Sequence, residues 1–270
     1  MNRKALLVVL IETPDSNRSA PLIRILRDDP RFELIRLPAS MFNDHNEIRK
    51  AQISLNLDRF EFFNGRAMTP QEIGCSFSHN TARKIISTSP GGGVVLEDDA
   101  RIGNLEDFYQ IATKFLNKNS TKRKVLSLNM FRLNPKQNFE KDGYQALVGK
   151  PILAVAYALS PMAASTLLDE NIPITSVSDW PNSRVRYFAT FQEVVAHGDS
   201  ETVSTINING SLFRSGLSLR KKINQIFFVD YFRDRPKEVN FLSYVQEIHW
   251  SKTTWYLDSL VRRILKVCYS

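Results

Sequence analysis

The feature that most constrains the fold is a series of short apolar runs in which polar and apolar residues do not alternate. The runs are found in "KALLVVLIE", "VVLEDDA" and "ILAVAYALS". Such runs are typical of strands that are buried on both faces of a sheet. Helical segments lie between and after them, among them "NLEDFYQIATKFLNK" and "PMAASTLLDE". Strands that alternate with helices from residue 5 to about residue 170 predict an α/β domain around a mostly parallel sheet.

One helix of this pattern has a well-marked start and end. Thr69 is followed three residues later by Glu72, which is the spacing of a capping box, and Pro70 occupies the first helical position. The helix is predicted to continue through "IGCSFSHNTARKIIST" and to stop near Pro90, where three consecutive glycines follow.

The composition is that of a globular protein with a sizeable core. The chain has 270 residues, of which 43% are hydrophobic. No apolar run approaches the roughly 18 to 20 residues of a membrane-spanning helix. Acidic residues and no small-residue cleavage site follow the first apolar run, which favours a core strand over a signal peptide. The only cysteines, Cys75 and Cys268, indicate no disulfide framework, and a reducing cytoplasmic compartment is expected.

The net charge of +8 is concentrated in the C-terminal part. Residues 214–270 hold eleven Lys and Arg against five Asp and Glu, so this segment carries +6. We therefore place a boundary near residue 210, with a catalytic domain at 1–210 and a basic amphipathic, helical region at 211–270. Such a helix, preceded by Trp250 and Trp255, suits an anionic membrane surface. The alternative is that its apolar stripe packs on the rest of the protein and its charges are solvated.

Three acids follow the strand "VVL" without interruption. In open α/β sheets, ligands bind beyond the carboxyl ends of the strands. Alternation along an extended chain puts Glu97 and Asp99 on one side and Asp98 on the other. Two converging carboxylates form an oxygen site for Mg²⁺ or Mn²⁺, whose remaining ligands are commonly phosphate oxygens and water. A solvated acidic turn, or acids that cap the next helix, is the alternative interpretation.

Three segments, "GRAMTPQEIGCSFSH", "GGGVVLEDDA" and "AYALSPMAASTLLDENIPITSVSDW", together resemble glycosyltransferase family 25, the bacterial lipopolysaccharide-type glycosyltransferases. That family has a block like L-T-x-x-E-x-G-C-x-x-S-H, an apolar strand ending in EDD, and a later Y-x-x-S strand before an acidic turn. The resemblance covers roughly residues 5 to 205. The matching residues are Thr69, Glu72, Gly74, Cys75, Ser78, His79, Glu97, Asp98, Asp99, Tyr157, Ser160 and Asp179.

The resemblance implies a GT-A-like fold and an inverting transfer of a sugar, often galactose from UDP-galactose, to a lipopolysaccharide or lipooligosaccharide core. A divalent cation, Mn²⁺ or Mg²⁺, would neutralise the departing diphosphate. Asp99 and Glu97 are then the expected metal ligands, and His197 is a candidate for a further one. Glu97 also helps to hold the donor, and Asp98 orients the same loop.

The resemblance also implies roles for residues outside the acidic run. An inverting enzyme needs a base that takes the proton of the acceptor hydroxyl, and Asp179 is the main candidate. Glu193 and Asp199 are competing candidates. Further donor-binding residues are expected to be Arg18, Arg66, Ser78 and His79.

Several of these residues also have a structural interpretation. Asp179 could cap a turn, and Arg66 could be a solvated surface residue. His79 could be a buried histidine that a backbone carbonyl satisfies, and Cys75 is expected to be a packing residue.

Two other functions are alternatives to a glycosyltransferase. A basic nucleic-acid-binding protein or metal nuclease would bind phosphates with the basic residues of the tail. The chain contains no recognised nucleic-acid motif. A non-catalytic relative would keep the fold and bind a partner. The expected partners are therefore a nucleotide-sugar donor, a glycolipid or oligosaccharide acceptor and an anionic membrane surface, with no nucleic acid. The expected location is the cytoplasmic side of the inner membrane.

Overall fold

The computed structural model of the protein describes residues 5–57, 60, 67–129, 143–147, 151, 154–174 and 184–198. The strands are β1 (Leu6–Glu12), β2 (Phe32–Pro38), β3 (Gly93–Glu97), β4 (Ala100–Ile102), β5 (Lys124–Ser127), β6 (Tyr144–Ala146), β7 (Ala156–Leu159), β8 (Arg186–Thr190) and β9 (Val195–His197). The helices are α1 (Ala20–Arg27), α2 (His45–Lys50), α3 (Pro70–Ser87), α4 (Leu105–Asn119) and α5 (Pro161–Glu170).

Seven of these strands form the central sheet, in the order β2-β1-β3-β7-β5-β8-β6. β1 pairs in parallel with β2 and β3, and β5 pairs in parallel with β8. β7 runs antiparallel to β3 and β5, and β6 runs antiparallel to β8. The prediction of an α/β fold with a mostly parallel sheet is therefore confirmed, since five of the seven strands run in one direction.

Both faces of the sheet are covered by helices, which explains why the strand sequences are continuously apolar. In β1, Leu6, Val8 and Leu10 join a core cluster with residues of α1 and α4. Leu7 and Val9 point the other way and join a second cluster with residues of α3 and α5. Every residue of β1 is buried, so no polar side chain could alternate along it without a buried partner.

Helix α3 starts where the capping box predicts. The backbone N–H of Glu72 donates to Thr69 Oγ1 (3.2 Å), and the backbone N–H of Thr69 donates to Glu72 Oε2 (2.9 Å). Pro70 is the first helical residue, and the helix ends at Ser87, before the proline and the glycines. The prediction of this helix and of its start is therefore confirmed.

The topology brings separate loops to one edge of the sheet. Because β1, β2 and β3 are parallel, the residues that follow them lie at the same edge. After β3 the chain turns through Asp98 and Asp99 into β4. β4 forms a separate two-stranded ladder with β9, in which Ala100 lies opposite His197. The carboxyl ends of distant segments thus meet around the three acids.

The C-terminal predictions concern residues that the structure does not describe. The boundary near residue 210 and the basic region 211–270 both lie outside the described residues. Within the described ranges, none of the helices combines the length and the hydropathy that crossing a membrane requires.

Candidate active site

A cavity of about 120 Å³ lies at this edge of the sheet. Its walls come from the ends of β1 and β3, from the loop after β2, from α3 and from the end of β9. The lining residues are Ile11, Thr13, Arg18, Ala39, Ser40, Met41, Cys75, Ser78, His79, Glu97, Asp98, Asp99 and His197. The structure therefore brings together seven of the predicted site residues, namely Arg18, Ser78, His79, Glu97, Asp98, Asp99 and His197.

Asp98 is the acid whose charge the protein itself compensates. Its side chain is buried, and Arg18 Nη2 lies 2.9 Å from Oδ1 and 3.0 Å from Oδ2. The backbone N–H of Thr13 also donates to Oδ2, at 3.0 Å. Arg18 Nη2 is in turn 3.1 Å from Thr13 Oγ1. Asp98 therefore ties the loop after β1 to the turn after β3, and its role towards a donor stays a prediction.

Asp99 occupies a different environment from Asp98. Its Oδ1 is buried and has no hydrogen-bond partner among the described residues. Its Oδ2 lies 3.3 Å from Nε2 of His197, a residue whose side chain is 43% exposed. Burial raises the pKa of Asp99, the Glu97 charge raises it further, and His197 opposes this rise. The ionised Asp99 side chain is thus incompletely stabilised by its surroundings.

Among the neighbouring charges, that of Glu97 has the largest effect on the pKa of Asp99. Glu97 raises the pKa of Asp99 more than Asp98 does, although Asp98 is its neighbour in the chain. The alternation was predicted for an extended chain, but β3 ends at Glu97, and Asp98 and Asp99 lie in the turn that follows. Two carboxylates and an imidazole nitrogen are hard and borderline ligands of the kind that Mg²⁺ and Mn²⁺ accept. The buried, unpartnered oxygen of Asp99 fits such a cation.

Glu97 is held from behind by a buried histidine. His79 Nε2 lies 2.9 Å from Glu97 Oε1, and His79 Nδ1 lies 2.9 Å from the Tyr157 hydroxyl. The His79 and Tyr157 rings stack with their centroids 5.8 Å apart. Burial lowers the pKa of His79, and the Glu97 carboxylate opposes this effect without reversing it.

One sequence interpretation of His79 is corrected by this geometry. The histidine is buried, as the structural interpretation held, but side chains rather than a backbone carbonyl satisfy it. The reason is that its helix faces the end of β3 and the middle of β7, where Glu97 and Tyr157 are the nearest polar groups.

Ser78 anchors the wall of the cavity. Its hydroxyl donates to the Gly74 carbonyl (2.8 Å) and accepts from the backbone N–H of Ser40 (2.8 Å). A Cβ on Gly74 would lie only 2.1 Å from the Ser40 carbonyl oxygen, so the loop after β2 can approach α3 only because this residue is glycine. A role of Ser78 in donor binding stays a prediction.

Cys75 lies beside the acids in the same cavity. Its Sγ, a ring nitrogen of His79 and a carboxylate oxygen of Glu97 all lie within 4.8 Å of one another. Among the described residues, no other group of three such ligand atoms comes this close together, and the predicted set of Glu97, Asp99 and His197 does not. The two sets share Glu97 but use different histidines.

Three predicted residues lie outside the described part of the chain: Arg66, Asp179 and Asp199. Glu193, a competing candidate for the base, is exposed between β8 and β9 and does not line the cavity. The assignment of the base therefore stays a prediction.

Two buried residues next to the cavity had no role in the sequence interpretation. Tyr157 was part of the motif, and Arg83 was not singled out. Arg83 follows His79 by four residues, so the two side chains share one face of α3, and this spacing could have identified it. The sequence does not show that both face Tyr157, because that contact crosses from α3 to β7.

Comparison with known families gives one match. The family described as "Glycosyltransferase family 25 (LPS biosynthesis protein)" matches residues 31–180, more than half of the chain. The matched range includes the three acids after β3 and ends one residue beyond Asp179, while Arg18 and His197 lie outside it. Among curated proteins, none matches the chain.

Proposed function

Since this chain belongs to glycosyltransferase family 25 and is thus a glycosyltransferase of lipopolysaccharide biosynthesis, we propose that its reaction is metal-dependent and inverting. The donor is a nucleotide sugar, and we propose UDP-galactose. The acceptor is a sugar of the lipopolysaccharide or lipooligosaccharide core.

The observation that carries the metal dependence is the buried oxygen of Asp99. This oxygen has no partner in the described part of the chain, and the Glu97 carboxylate raises the pKa of the same side chain. Asp99 and Glu97, with His197 as a further ligand, would hold a divalent cation, which neutralises the charge that develops on the leaving diphosphate. The arrangement supports this proposal because a buried carboxylate oxygen without a partner is costly unless a ligand satisfies it.

The size of the cavity indicates which part of the donor it takes. Sites for whole drug-sized ligands occupy about 300 to 1,000 Å³, whereas this cavity measures about 120 Å³. We therefore assign to it the diphosphate end of the donor. Arg18, Ser78 and His79 line this cavity, and Arg66 is a further donor-binding candidate.

The chemical step needs a group that accepts the proton of the attacking hydroxyl. We assign this role to Asp179, on the family resemblance and on its position beside Trp180, whose ring could stack on a sugar. Glu193 and Asp199 are the alternative candidates for this base. Substitution of each by its amide, in the assay described next, tests them.

The first experiment measures nucleoside diphosphate release from a panel of nucleotide sugars, with Mn²⁺, with Mg²⁺ or with EDTA. We expect one donor to be turned over only when metal is present, and we expect Asp99→Asn to lose this activity. Asp169→Asn is the matched control, because Asp169 is an exposed aspartate on α5, far in sequence from the acids. The anomeric configuration of the product, read by NMR, then tests inversion.

Two results would contradict the proposal. Turnover that persists unchanged in EDTA would exclude the metal, and an Asp99→Asn variant with wild-type turnover would exclude its role. A folded protein that neither binds nor turns over any donor would instead favour the non-catalytic relative.

We also propose that the basic region 211–270 attaches the enzyme to an anionic membrane, where a lipid-anchored acceptor lies. Its eleven basic residues and its apolar positions at helical spacing support this. The full chain should co-sediment with anionic liposomes, and a chain ending at residue 210 should not. Equal co-sedimentation of both chains would show that the region is not the anchor.

A further inference from the structure

Three buried polar side chains lie in series behind Glu97. Arg83, Tyr157 and His79 each have essentially no exposed surface. The Arg83 guanidinium hydrogen-bonds the Tyr157 hydroxyl, which lies 2.9 Å from His79 Nδ1. His79 Nε2 lies 2.9 Å from Glu97 Oε1. Burial makes each of these hydrogen bonds worth more than it would be in water, so their direction has consequences.

The chemistry at both ends of this series fixes that direction. A guanidinium has only donors, so the Tyr157 oxygen accepts from Arg83 and keeps its own proton to donate. An ionised carboxylate only accepts, so the proton between His79 and Glu97 is on Nε2. The remaining nitrogen, Nδ1, then accepts from the Tyr157 hydroxyl. A doubly protonated ring would place a second buried cation next to Arg83.

We infer that Arg83, Tyr157 and His79 form a one-way chain of hydrogen bonds that fixes His79 as the neutral Nε2–H tautomer and makes it the positioning donor of Glu97. In this arrangement His79 holds Oε1 of Glu97 and leaves Oε2 for the cation or the donor. Within the described residues, Oε2 has no hydrogen bond of its own. The tautomer of His79 is inferred from the hydrogen bonds alone, whereas its effect on catalysis rests on the proposed function.

The same hydrogen bonds compete with a second use of His79, as a metal ligand. Cys75, His79 and Glu97 have the atoms of a metal site within 4.8 Å. To bind a metal through Nε2, His79 would have to give up that proton and its hydrogen bond to Glu97, and its Nδ1 is turned towards Tyr157. The cation should therefore be held on the Asp99 side, and His79 should act only through Glu97.

The tautomer can be read directly in the free, full-length protein. The chain has four histidines, and ¹⁵N labelling of histidine with long-range ¹H–¹⁵N correlation distinguishes the Nε2–H, Nδ1–H and doubly protonated rings. The signals of His79 are assigned by their loss in His79→Gln. We expect an Nε2–H ring near neutral pH, and we expect it to persist when Zn²⁺ is added. An Nδ1–H or doubly protonated ring, or a Zn²⁺-bound ring that reverts in Cys75→Ser, would overturn the inference.

Two variants then test whether the chain positions Glu97. Tyr157→Phe removes the hydroxyl but keeps the ring that stacks on His79, and we expect kcat/KM to fall about 10- to 100-fold, as for other supporting-shell groups. In this variant the Nε2–H form of His79 should no longer be the main tautomer. A wild-type tautomer together with unchanged kcat/KM in Tyr157→Phe would overturn the positioning role.

Replacement of His79 separates a donor from a metal ligand. Gln can donate an amide N–H to Glu97 and accept from Tyr157, whereas Met fills a similar volume and can do neither. We expect His79→Gln to retain at least ten times the kcat/KM of His79→Met when both are folded by circular dichroism. Equal loss in both folded variants would overturn the inference. If the wild-type protein turns over no donor, the proposed function fails, and the NMR result still decides the tautomer.

Discussion

The two sides of the turn after β3 differ in how their charges are compensated. On one side, Asp98 is buried, forms an ion pair with Arg18 and accepts a hydrogen bond from the backbone N–H of Thr13. On the other, Asp99 has a buried oxygen without a partner in the described part of the chain. The two adjacent aspartates thus have different partners, because β3 ends at Glu97 and the turn that follows directs Asp98 to Arg18 and Asp99 to His197. The comparison separates a charge that holds the fold together from charges that are available to a ligand.

Substitution of the two aspartates should give the largest contrast. Asp99→Asn should lower kcat about 1,000-fold, because loss of a metal ligand removes several kcal/mol of charge stabilisation. Asp98→Asn should lower kcat far less and should mainly lower stability. Steady-state kinetics, with urea unfolding of both variants, measures this contrast. Equal losses of kcat in two equally stable variants would break the comparison.

A glycine tests the Asp99 side without changing any charge. A Cβ on Gly198 would lie 2.7 Å from the Asp99 carbonyl oxygen, which also accepts the Gly198 N–H at 2.7 Å. Gly198→Ala should therefore move Asp99 and lower kcat by up to about 100-fold, as small misplacements of catalytic groups do.

Gly91→Ala is the matched control, since an added Cβ there meets nothing within 4 Å. Its kinetics should equal those of the wild type. If Gly198→Ala also kept wild-type kcat, the position of Asp99 would not limit the reaction.

The Asp98 side should show its effect in stability. Arg18→Met leaves Asp98 buried without its cation, which should cost about 1 to 3 kcal/mol of unfolding free energy. The partial exposure of Arg18 favours the lower end of this range. The double variant Arg18→Met with Asp98→Asn should recover part of the loss. Urea unfolding, with the exposed Arg27→Met as control, provides the measurement. A double variant that is no better than Arg18→Met would show that the pair is not coupled.

The smallest effect concerns the metal-free protein. The pKa of Asp99 is raised by burial and by Glu97, so the folded state binds this proton more tightly than the unfolded state does. Ionised Asp99 therefore costs stability at neutral pH, and this cost is relieved as pH falls. In EDTA at pH 7, Asp99→Asn should melt above the wild type, and the difference should shrink towards acidic pH. A wild type that melts higher at pH 7 would contradict this.

Much of the fold could be predicted because it depends on local patterns. Continuous apolar runs predicted β1 and β3, and the Thr69–Glu72 capping box predicted the start of α3. The antiparallel direction of β7 could not be predicted, because an apolar run has the same composition in either direction. β4 and β9 were missed because each has three residues and too little alternation or hydrophobicity to stand out.

The site was predicted in part for the same reason. The position of the three acids at the end of a buried strand follows from a local pattern, and the structure has them there; their alternation did not follow, because Asp98 and Asp99 lie in a turn. The partners of these acids come from the loop after β1, from α3 and from β9, which only the folded topology brings together. Neither the pairing of Arg18 with Asp98 nor the contact between His79 and Tyr157 follows from spacing along the chain.

The short ladder of β4 with β9 also sets an order of events. Ala100 pairs with His197, so the wall beside Asp99 closes only after the chain has been made almost to the end of the described part. β1, β2 and β3 are complete well before that, and parallel neighbours close in sequence can associate earlier than distant ones. A nascent chain would therefore carry the acids before the segment that encloses them. The growing protein thus makes β1, β2, β3 and the acids well before the strand that lies beside Asp99.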